Sequence, residues 1–543
     1  MPDSTLQHNR EELARQEVGH TQVGRGIAWL LAAQFLFAIV CVPVSEVLPD
    51  LHRMEQPDTL SRRLARLVET AFAARPAEGA VFSRIASRNR AVITELEQFE
   101  DGVEDASRLG QWLRPPVQYV LARFGAGNEQ VYIGLGPWLF FRESLDYLSG
   151  HSVQPEALPA ILHLKKQLNA RGIDLIVVPA PVKPTVHPEH FTGRVETTGD
   201  PLRPAPFRDF VRELERHGVL VFDPAPVLLE AKHRTGQPQY LMTDTHWRPE
   251  AGELVAAGLR DFVIEHADLP PTASSGYVSE TGEVRNLGDI ARLLDLPEDQ
   301  TLYPEETVPL RQIRTTDGAP WRPSRSAHVL LLGDSFSNIY SLGEMGWGVS
   351  AGLPAQLAFL LQRPVDSIIQ NADGAFAARE ALARELGGGE DRLAGKRLVI
   401  FQFAERELAV GDWKQIELEL GDTAPGQFFV PGAGEQVIVT GTIREVAPVP
   451  RPETVPYEDH ITAVHLVDLE SERAAENGGE ALVYMWGMRD RVLQDAARFR
   501  AGDRITVQLR PWSDVASLYD GVSRTELENE AVQFEEPTWG EVD

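Results

Sequence analysis

Between residues 130 and 420, short continuous apolar runs alternate with helical stretches, and no other feature constrains the fold as tightly. The runs are Asp174–Pro179 (DLIVVP), Val219–Phe222 (VLVF), His328–Leu332 (HVLLL), Ser367–Gln370 (SIIQ) and Arg397–Phe403 (RLVIFQF). Helices are predicted between them near 156–171, 206–217, 249–266, 352–362 and 376–387. A strand apolar at successive positions needs cover on both faces, so the pattern predicts an α/β domain with a parallel sheet and flanking helices. Functional residues in such sheets gather beyond the carboxyl ends of the strands.

The pattern changes near Pro425. From 435 onward come EQVIVTGTIREV, ITAVHLVDL, ALVYMWGM and DRITVQLRPW, with one helical piece near 490–500. About five strands and a late helix predict a small all-β domain, an OB-like barrel, with a sandwich as the alternative. Residues 425–543 hold 22 Asp and Glu against 10 Arg and no Lys, which disfavours a groove that tracks phosphates. The whole chain carries a formal charge of −28, so a nucleic-acid partner is not expected. The same acidity makes a polyanionic polymer an awkward substrate unless the cleft is locally basic. A single cysteine, Cys41, rules out an intrachain disulfide framework and a cysteine zinc site.

Toward the N-terminus, residues 26–44 (GIAWLLAAQFLFAIVCVPV) carry no charge. Nineteen residues at about 1.5 Å each span about 28 Å, close to the hydrocarbon thickness of a bilayer. Residues 1–25 then form a tail, 26–44 an uncleaved transmembrane anchor, and 45–127 a helical stalk region with a break at Pro115–Pro116. Arg10, Arg15 and Arg25 precede the anchor, and Arg53 is the first basic residue after it. This bias favours an N-terminus inside and a large part outside the cytoplasmic membrane.

Two short motifs carry chemistry. In HVLLLGDSFS, Ser335 follows a strand, with Gly333 permitting a turn; its hydroxyl projects into the crevice and its N–H is free to face an oxyanion. Serine needs a base to take its proton. In LMTDTHWRPE, Asp244 and His246 precede a helix that starts at Pro249, and alternate residues of an extended segment share a face. Asp244 is placed to fix the imidazole tautomer while the other ring nitrogen reaches Ser335. The competing reading makes Asp244 a helix cap and Ser335 part of an ordinary Gly-Asp turn.

With these motifs the chain resembles the SGNH-hydrolase-like domain of the alginate O-acetyltransferase family, the AlgX/AlgJ type. The matching stretches are NEQVYIGLGPWLFFRESLDYLSG (128–150), LIVVPAPVKPTVHPEH (175–190), YLMTDTHWRPEAG (240–252), GDIARLL (288–294), LLLGDSFS (330–337) and KRLVIFQFAEREL (396–408). The resemblance implies an SGNH-hydrolase-like (flavodoxin-like) domain over 128–424, with the all-β domain over 425–543 outside it. It implies a triad of Asp244, His246 and Ser335, in an order permuted from that of ordinary SGNH esterases. Gly374 in QNADGA falls where such enzymes place an oxyanion-donating glycine. FAEREL lacks the asparagine expected there, leaving Arg406 as a substitute donor or as half of a Glu405–Arg406 ion pair.

The implied function is O-acetylation of a polysaccharide in the periplasm through a Ser335 acyl-enzyme. It needs no cofactor and no metal, and a membrane-bound O-acyltransferase partner would supply the acetyl group. Two rivals remain: an acetylesterase or deacetylase with the same triad, and a non-catalytic scaffold that binds polysaccharide. In the all-β domain, Trp486 and Trp512, with Tyr484, Tyr519 and Trp539, are candidates to stack on sugar rings, with packing inside the domain as the alternative.

Overall fold

The computed structural model describes residues 108–543 apart from short stretches, the longest being 421–427 and 471–478, together with residues 26, 27 and 29. The expected tail 1–25, nearly all of the anchor 26–44 and the stalk region up to 107 lie outside the described residues. Among the described residues no helix is long and apolar enough to cross a membrane. The chain divides into two units, 1–114 and 115–543, and the second holds both the sheet and the barrel. Pro115 and Pro116 do not break the chain as expected: Arg108–Arg123 is one helix with both inside it. The pair removes two N–H donors, and the helix continues past them.

Five parallel strands form the central sheet in the order Leu220–Val221, Asp174–Ala180, Leu398–Ala404, Val329–Gly333, Asp366–Ile369. All five are the apolar runs read from the sequence. Successive residues feed opposite cores. Ile176, Val178, Val329, Leu331, Leu398 and Ile400 pack on one face, with helices Ala225–Thr235, Pro249–His266 and Leu353–Leu361. Leu175, Val177, Leu330, Leu332, Val399 and Phe401 pack on the other, with helices Ala157–Ala170, Ala205–Arg216 and Ala377–Gly387. This double cover is why the strands carry no polar alternation. An antiparallel pair, Val278–Asn286 with Glu306–Arg314, is added beside the sheet; its first strand is largely exposed and has no clear apolar period.

The C-terminal region closes on itself. Val437–Val446 pairs with His460–Glu470, which pairs with Ala481–Arg489. That strand runs parallel to Pro537–Val542, which pairs with Arg504–Pro511, and this returns to Val437–Val446. A ring of five strands is a barrel, so the sandwich alternative falls. Inside sit Val439, Ile443, Val464, Leu466, Val483, Met485, Val507 and Leu509. Outward residues of the same strands, Ile461, Ala463, Leu482, Tyr484 and Trp539, are covered by Val515, Val522, Leu527 and Val532.

Candidate active site

The crevice beyond the carboxyl ends of three neighbouring strands gathers the candidate residues. Strand Val329–Gly333 runs into Asp334 and Ser335, Asp366–Ile369 into Asn371 and Gly374, and Leu398–Ala404 into Arg406 and Glu407. Asp334 ties two of these ends together. Its Oδ1 accepts from the Phe336 N–H (2.9 Å) and from Gln402 Nε2 (2.7 Å), and its Oδ2 accepts from the Ala404 N–H (2.6 Å). Asp334 therefore does the capping, which leaves the half-buried Ser335 hydroxyl free for another partner.

That partner is His246. Its Nε2 lies 2.8 Å from Ser335 Oγ, and its Nδ1 lies 2.7 Å from Asp244 Oδ1. Asp244 is fully buried, and burial by itself raises a carboxyl pKa. The hydrogen bond and charge of His246, with N–H groups of Asp289 and His246, outweigh it and hold Asp244 down at about 2. A carboxylate only accepts, so Nδ1 carries the proton and Nε2 is left to accept from the serine hydroxyl. Asp244 Oδ2 is filled by Trp347 Nε1 (2.9 Å) and the Asp289 N–H (3.1 Å). Asp244 does not cap the following helix, whose N-cap is Arg248.

The loop that carries the pair is not extended as expected. Residues 242–246 bend, while Leu241 N–H donates to His246 O (3.1 Å) and Arg248 N–H to Gln239 O (2.9 Å). Asp244 and His246 meet because the His246 N–H also donates to Asp244 Oδ1 (3.1 Å), an Asx-type turn. Four residues that the motif reading did not single out hold this loop. Glu306 accepts from the Met242 N–H (3.0 Å), the Thr243 N–H (2.9 Å) and Thr243 Oγ1 (2.8 Å). Lys183 donates from Nζ to Leu139 O (2.7 Å) and Met242 O (3.1 Å), with its pKa lowered to about 8 by burial despite nearby Glu306, Asp244 and Asp289. Gly288 lets its segment pass so close that a Cβ would stand 2.2 Å from the Thr243 carbonyl. Asp289, on the next residue, accepts from the Thr245 N–H at Oδ1 (2.7 Å). Lys183, Gly288 and Asp289 lay in stretches that served as family markers, and that was their signal.

Asp289 also places its second oxygen, Oδ2, 3.7 Å from His246 Nδ1 with no hydrogen bond of its own. Burial, then the charge of Asp244, push its carboxyl up to about 6, against the pull of His246. Asp244, His246 and Asp289 together have the spacing of a cation site, but Nδ1 faces Asp244 with its proton and Nε2 faces Ser335, so the imidazole offers no free lone pair.

Gly374 and Arg406 line the same cleft as Ser335, a cavity of about 410 Å³. Gly374 has φ +77°, a left-handed conformation that a side chain would strain. The Glu405–Arg406 pair does not form. Glu405 points into the interior, where it pairs with Arg203, while Arg406 faces Glu143 and Glu407, each 3.6 Å away. Successive residues at a strand end point to opposite sides, which separates the two. Burial raises Glu407 to about 7, the neighbouring Arg406 opposing and Asp334 and Glu143 adding to it. Asn371, not singled out from the sequence, also lines the cleft. Its Oδ1 accepts from Asn338 Nδ2 (3.0 Å).

Trp486 and Trp512 are not brought to the cleft. They pack with Trp539 (5.3 and 6.0 Å between rings), Tyr519 stands over Trp486 (5.0 Å) and Tyr484 over Trp512 (5.0 Å). These rings cover the outside of the barrel wall, where alternate strand residues must find apolar cover. The barrel reaches the cleft elsewhere, through Val455, Tyr457, Glu458, Asp459, Val522 and Ser523.

Curated relatives are similar to part of the chain. The chain is 30% identical over 219 residues to a probable alginate O-acetylase AlgJ of Pseudomonas aeruginosa, covering 40% of this chain and 53% of the relative. It is 25% identical over 322 residues to a probable alginate O-acetylase AlgJ of Azotobacter vinelandii, covering 58% and 78%. The first match therefore spans about half of that relative's length. The solved O-acetyltransferase domain of Pseudomonas putida AlgJ aligns at 22% identity and a TM-score of 0.39, covering 51% of this chain and 91% of that domain. Residues 131–405, about half of the chain, match the family described as "SGNH hydrolase-like domain, acetyltransferase AlgX", and the chain belongs to that family.

Proposed function

We propose that this chain is a polysaccharide O-acetyltransferase working through an acetyl-Ser335 intermediate. The observation that carries the reading is the unbroken line from Asp244 Oδ1 through His246 to Ser335 Oγ, 2.7 and 2.8 Å, at the mouth of a cavity. His246 Nε2 takes the hydroxyl proton as Oγ attacks the carbonyl carbon of an acetyl donor. The tetrahedral oxyanion meets the N–H groups of Ser335 and Gly374 and the amide of Asn371, with Arg406 adding positive charge. Collapse expels the donor's leaving group with the proton from Nε2. A sugar hydroxyl then gives its proton to Nε2 and attacks the acetyl carbonyl, and the serine oxygen recovers the proton as it leaves. Asp244 holds the tautomer, and Asp289 faces the positive charge that develops on the imidazole. None of these steps calls on a cofactor.

The extracytoplasmic placement belongs to the same proposal. The uncharged segment 26–44 supports a single-pass anchor in the cytoplasmic membrane with the catalytic part in the periplasm. Acetyl-CoA is absent there, so a membrane-bound O-acyltransferase partner is the proposed acetyl source. Incubation with an activated acetyl ester tests the chemistry: a mass gain of one acetyl on the peptide containing Ser335 is expected, lost in Ser335→Ala. An unmodified serine with full turnover of the ester overturns the covalent route. Acetyl recovered on a glycan rather than as free acetate separates transfer from hydrolysis.

A further inference from the structure

We propose that Glu407 is a positioning residue for the oxyanion hole, holding the peptide after Gly374 so that the Gly374 N–H faces the acetyl oxygen. The inference rests on the catalytic reading above and adds to it a side chain that acts through another residue. Gly374 and Ala375 lie on the connection between strand Asp366–Ile369 and helix Ala377–Gly387, outside both elements. Side chains hold the backbone there. Arg379 Nε donates to Ala375 O (3.2 Å), and its Nη1 donates to Lys414 O (3.0 Å). The Ala375 N–H donates to the Glu407 carboxylate, so one residue is gripped at both of its backbone polar groups.

The carboxylate is itself confined. Glu407 opens the short helix Glu407–Val410, and its carbonyl accepts from the Gly411 N–H (2.9 Å) and from Trp413 Nε1 (2.8 Å). A Cβ on Gly374 would stand 3.3 Å from Glu407 Oε2, and one on Gly411 would stand 2.6 Å from the same atom. The carboxylate is therefore wedged between two stretches of bare glycine backbone.

That grip reaches the donor through the backbone. Fixing the Ala375 N–H fixes the plane of the peptide that joins it to Gly374. Working back from this plane, ψ and φ of Gly374 place its own N–H, and the φ of +77° is one that favours glycine. At the other end of the connection the Gln370 N–H donates to Gly333 O (3.1 Å), beside the serine turn. A donor held in place before the reaction costs no reorganisation when charge develops. The acceptance does not need the negative charge of Glu407. Burial holds the carboxyl up at about 7, and a protonated acid or a glutamine amide keeps a carbonyl oxygen for the Ala375 N–H.

The test uses the full chain, p-nitrophenyl acetate as substrate and two inhibitors. Phenylboronic acid forms a tetrahedral adduct on a serine and puts an oxygen where the oxyanion forms, whereas 4-nitroacetanilide is a planar analogue of the substrate. In Glu407→Ala, kcat/KM should fall about 10–100-fold, part of the roughly 10²–10³ that loss of a whole oxyanion donor costs. The boronate inhibition constant should weaken by a similar factor, while that of the planar amide moves less than about twofold. Neither constant depends on how much of the protein is folded, so lost stability does not imitate the result. Glu407→Gln should recover most of both losses. A Glu407→Ala chain that keeps the parent's kcat/KM and boronate affinity overturns the proposal. So does equal weakening of the boronate and the planar amide, or a Glu407→Gln no better than Glu407→Ala. A parent chain that gains acetyl on Ser335 no faster than Glu407→Ala sinks the positioning role alone. A parent chain whose Ser335 takes no acetyl brings down the catalytic reading with it.

Discussion

The α/β domain and the barrel are both built on strands that bury apolar residues on both faces, but they place the candidate site residues differently. In the α/β domain the groups nearest the chemistry stand at strand ends, where Gly333, Ile369 and Ala404 stop the sheet and the chain turns into the crevice. In the barrel the strand residues are consumed by packing, inward around Val464 and Met485 and outward around Tyr484 and Trp539. Its contribution to the cleft comes from Val455, Tyr457, Glu458 and Asp459, ahead of strand His460–Glu470, and from Val522 and Ser523 at the start of a short strand. The lesson is that aromatic content is a poor guide to a sugar surface when a barrel wall needs apolar cover on both sides.

The largest expected effect breaks the comparison on the α/β side. Ser335→Ala should lower acetyl-ester turnover by about 10⁴-fold or more while the urea midpoint stays unchanged, because a half-buried hydroxyl is removed without a cavity. Asp244→Asn should follow, with a loss of about 10³–10⁴ in kcat, since an amide facing Nδ1 favours the wrong tautomer. A variant as active as the parent would reduce Asp244 to a structural role.

Asp289→Asn is expected to cost about tenfold, because Asp289 acts on the imidazole through space at 3.7 Å and leaves Ser335 untouched. It has a second readout. The carboxyl is raised in the folded state to about 6, so the native chain holds more protons than the unfolded one between about pH 4 and 6. Stability contributed by this group is full below that window and falls as pH rises through it. Urea midpoints measured from pH 4 to 6 should therefore decline less in Asp289→Asn than in the parent. An identical slope would show that Asp289 titrates normally.

The smallest effect on small-ester turnover is expected on the barrel side. Arg384→Ala removes one of the two arginines that pair with Glu526, leaving Arg524 at 3.0 Å and the Tyr484 hydroxyl, and should cost about 1–2 kcal/mol as a lowered Tm. Transfer to an oligosaccharide should drop more than hydrolysis of a small ester, because the barrel side of the cleft loosens while the Asp244–His246–Ser335 line keeps its own supports. Equal losses on both substrates would tie the barrel to the chemistry itself.

Local periodicity was enough to read the five sheet strands, five of the six helices that cover them and the all-β character of the last domain from the sequence, since each follows from the burial of neighbouring residues; helix Ala225–Thr235 was not read. Asp244, His246 and Ser335 were legible as well, because two short motifs carry them. The supports were not. Glu306 reaches Thr243 across 63 residues, Trp347 reaches Asp244 across 103, and Asn338 reaches Asn371 across 33. No period or spacing marks such pairs, because they exist only once helices and strands have packed.

What the sequence determined by itself was the five sheet strands, most of the helices that cover them and the trio Asp244, His246 and Ser335. The pair Val278–Asn286 with Glu306–Arg314 was not read, and the helical piece expected near 490–500 is a two-residue strand followed by a single 3-10 turn at Asp495–Arg498. Tertiary structure alone decided that residues 242–246 bend rather than extend, that Arg406 faces Glu143 and Glu407 rather than Glu405, and that the barrel forms a wall of the cleft. The physical reason is the range of the forces involved. Hydrophobic alternation is written residue by residue, whereas hydrogen bonds and ion pairs depend on which distant segments burial brings within about 3 Å of one another.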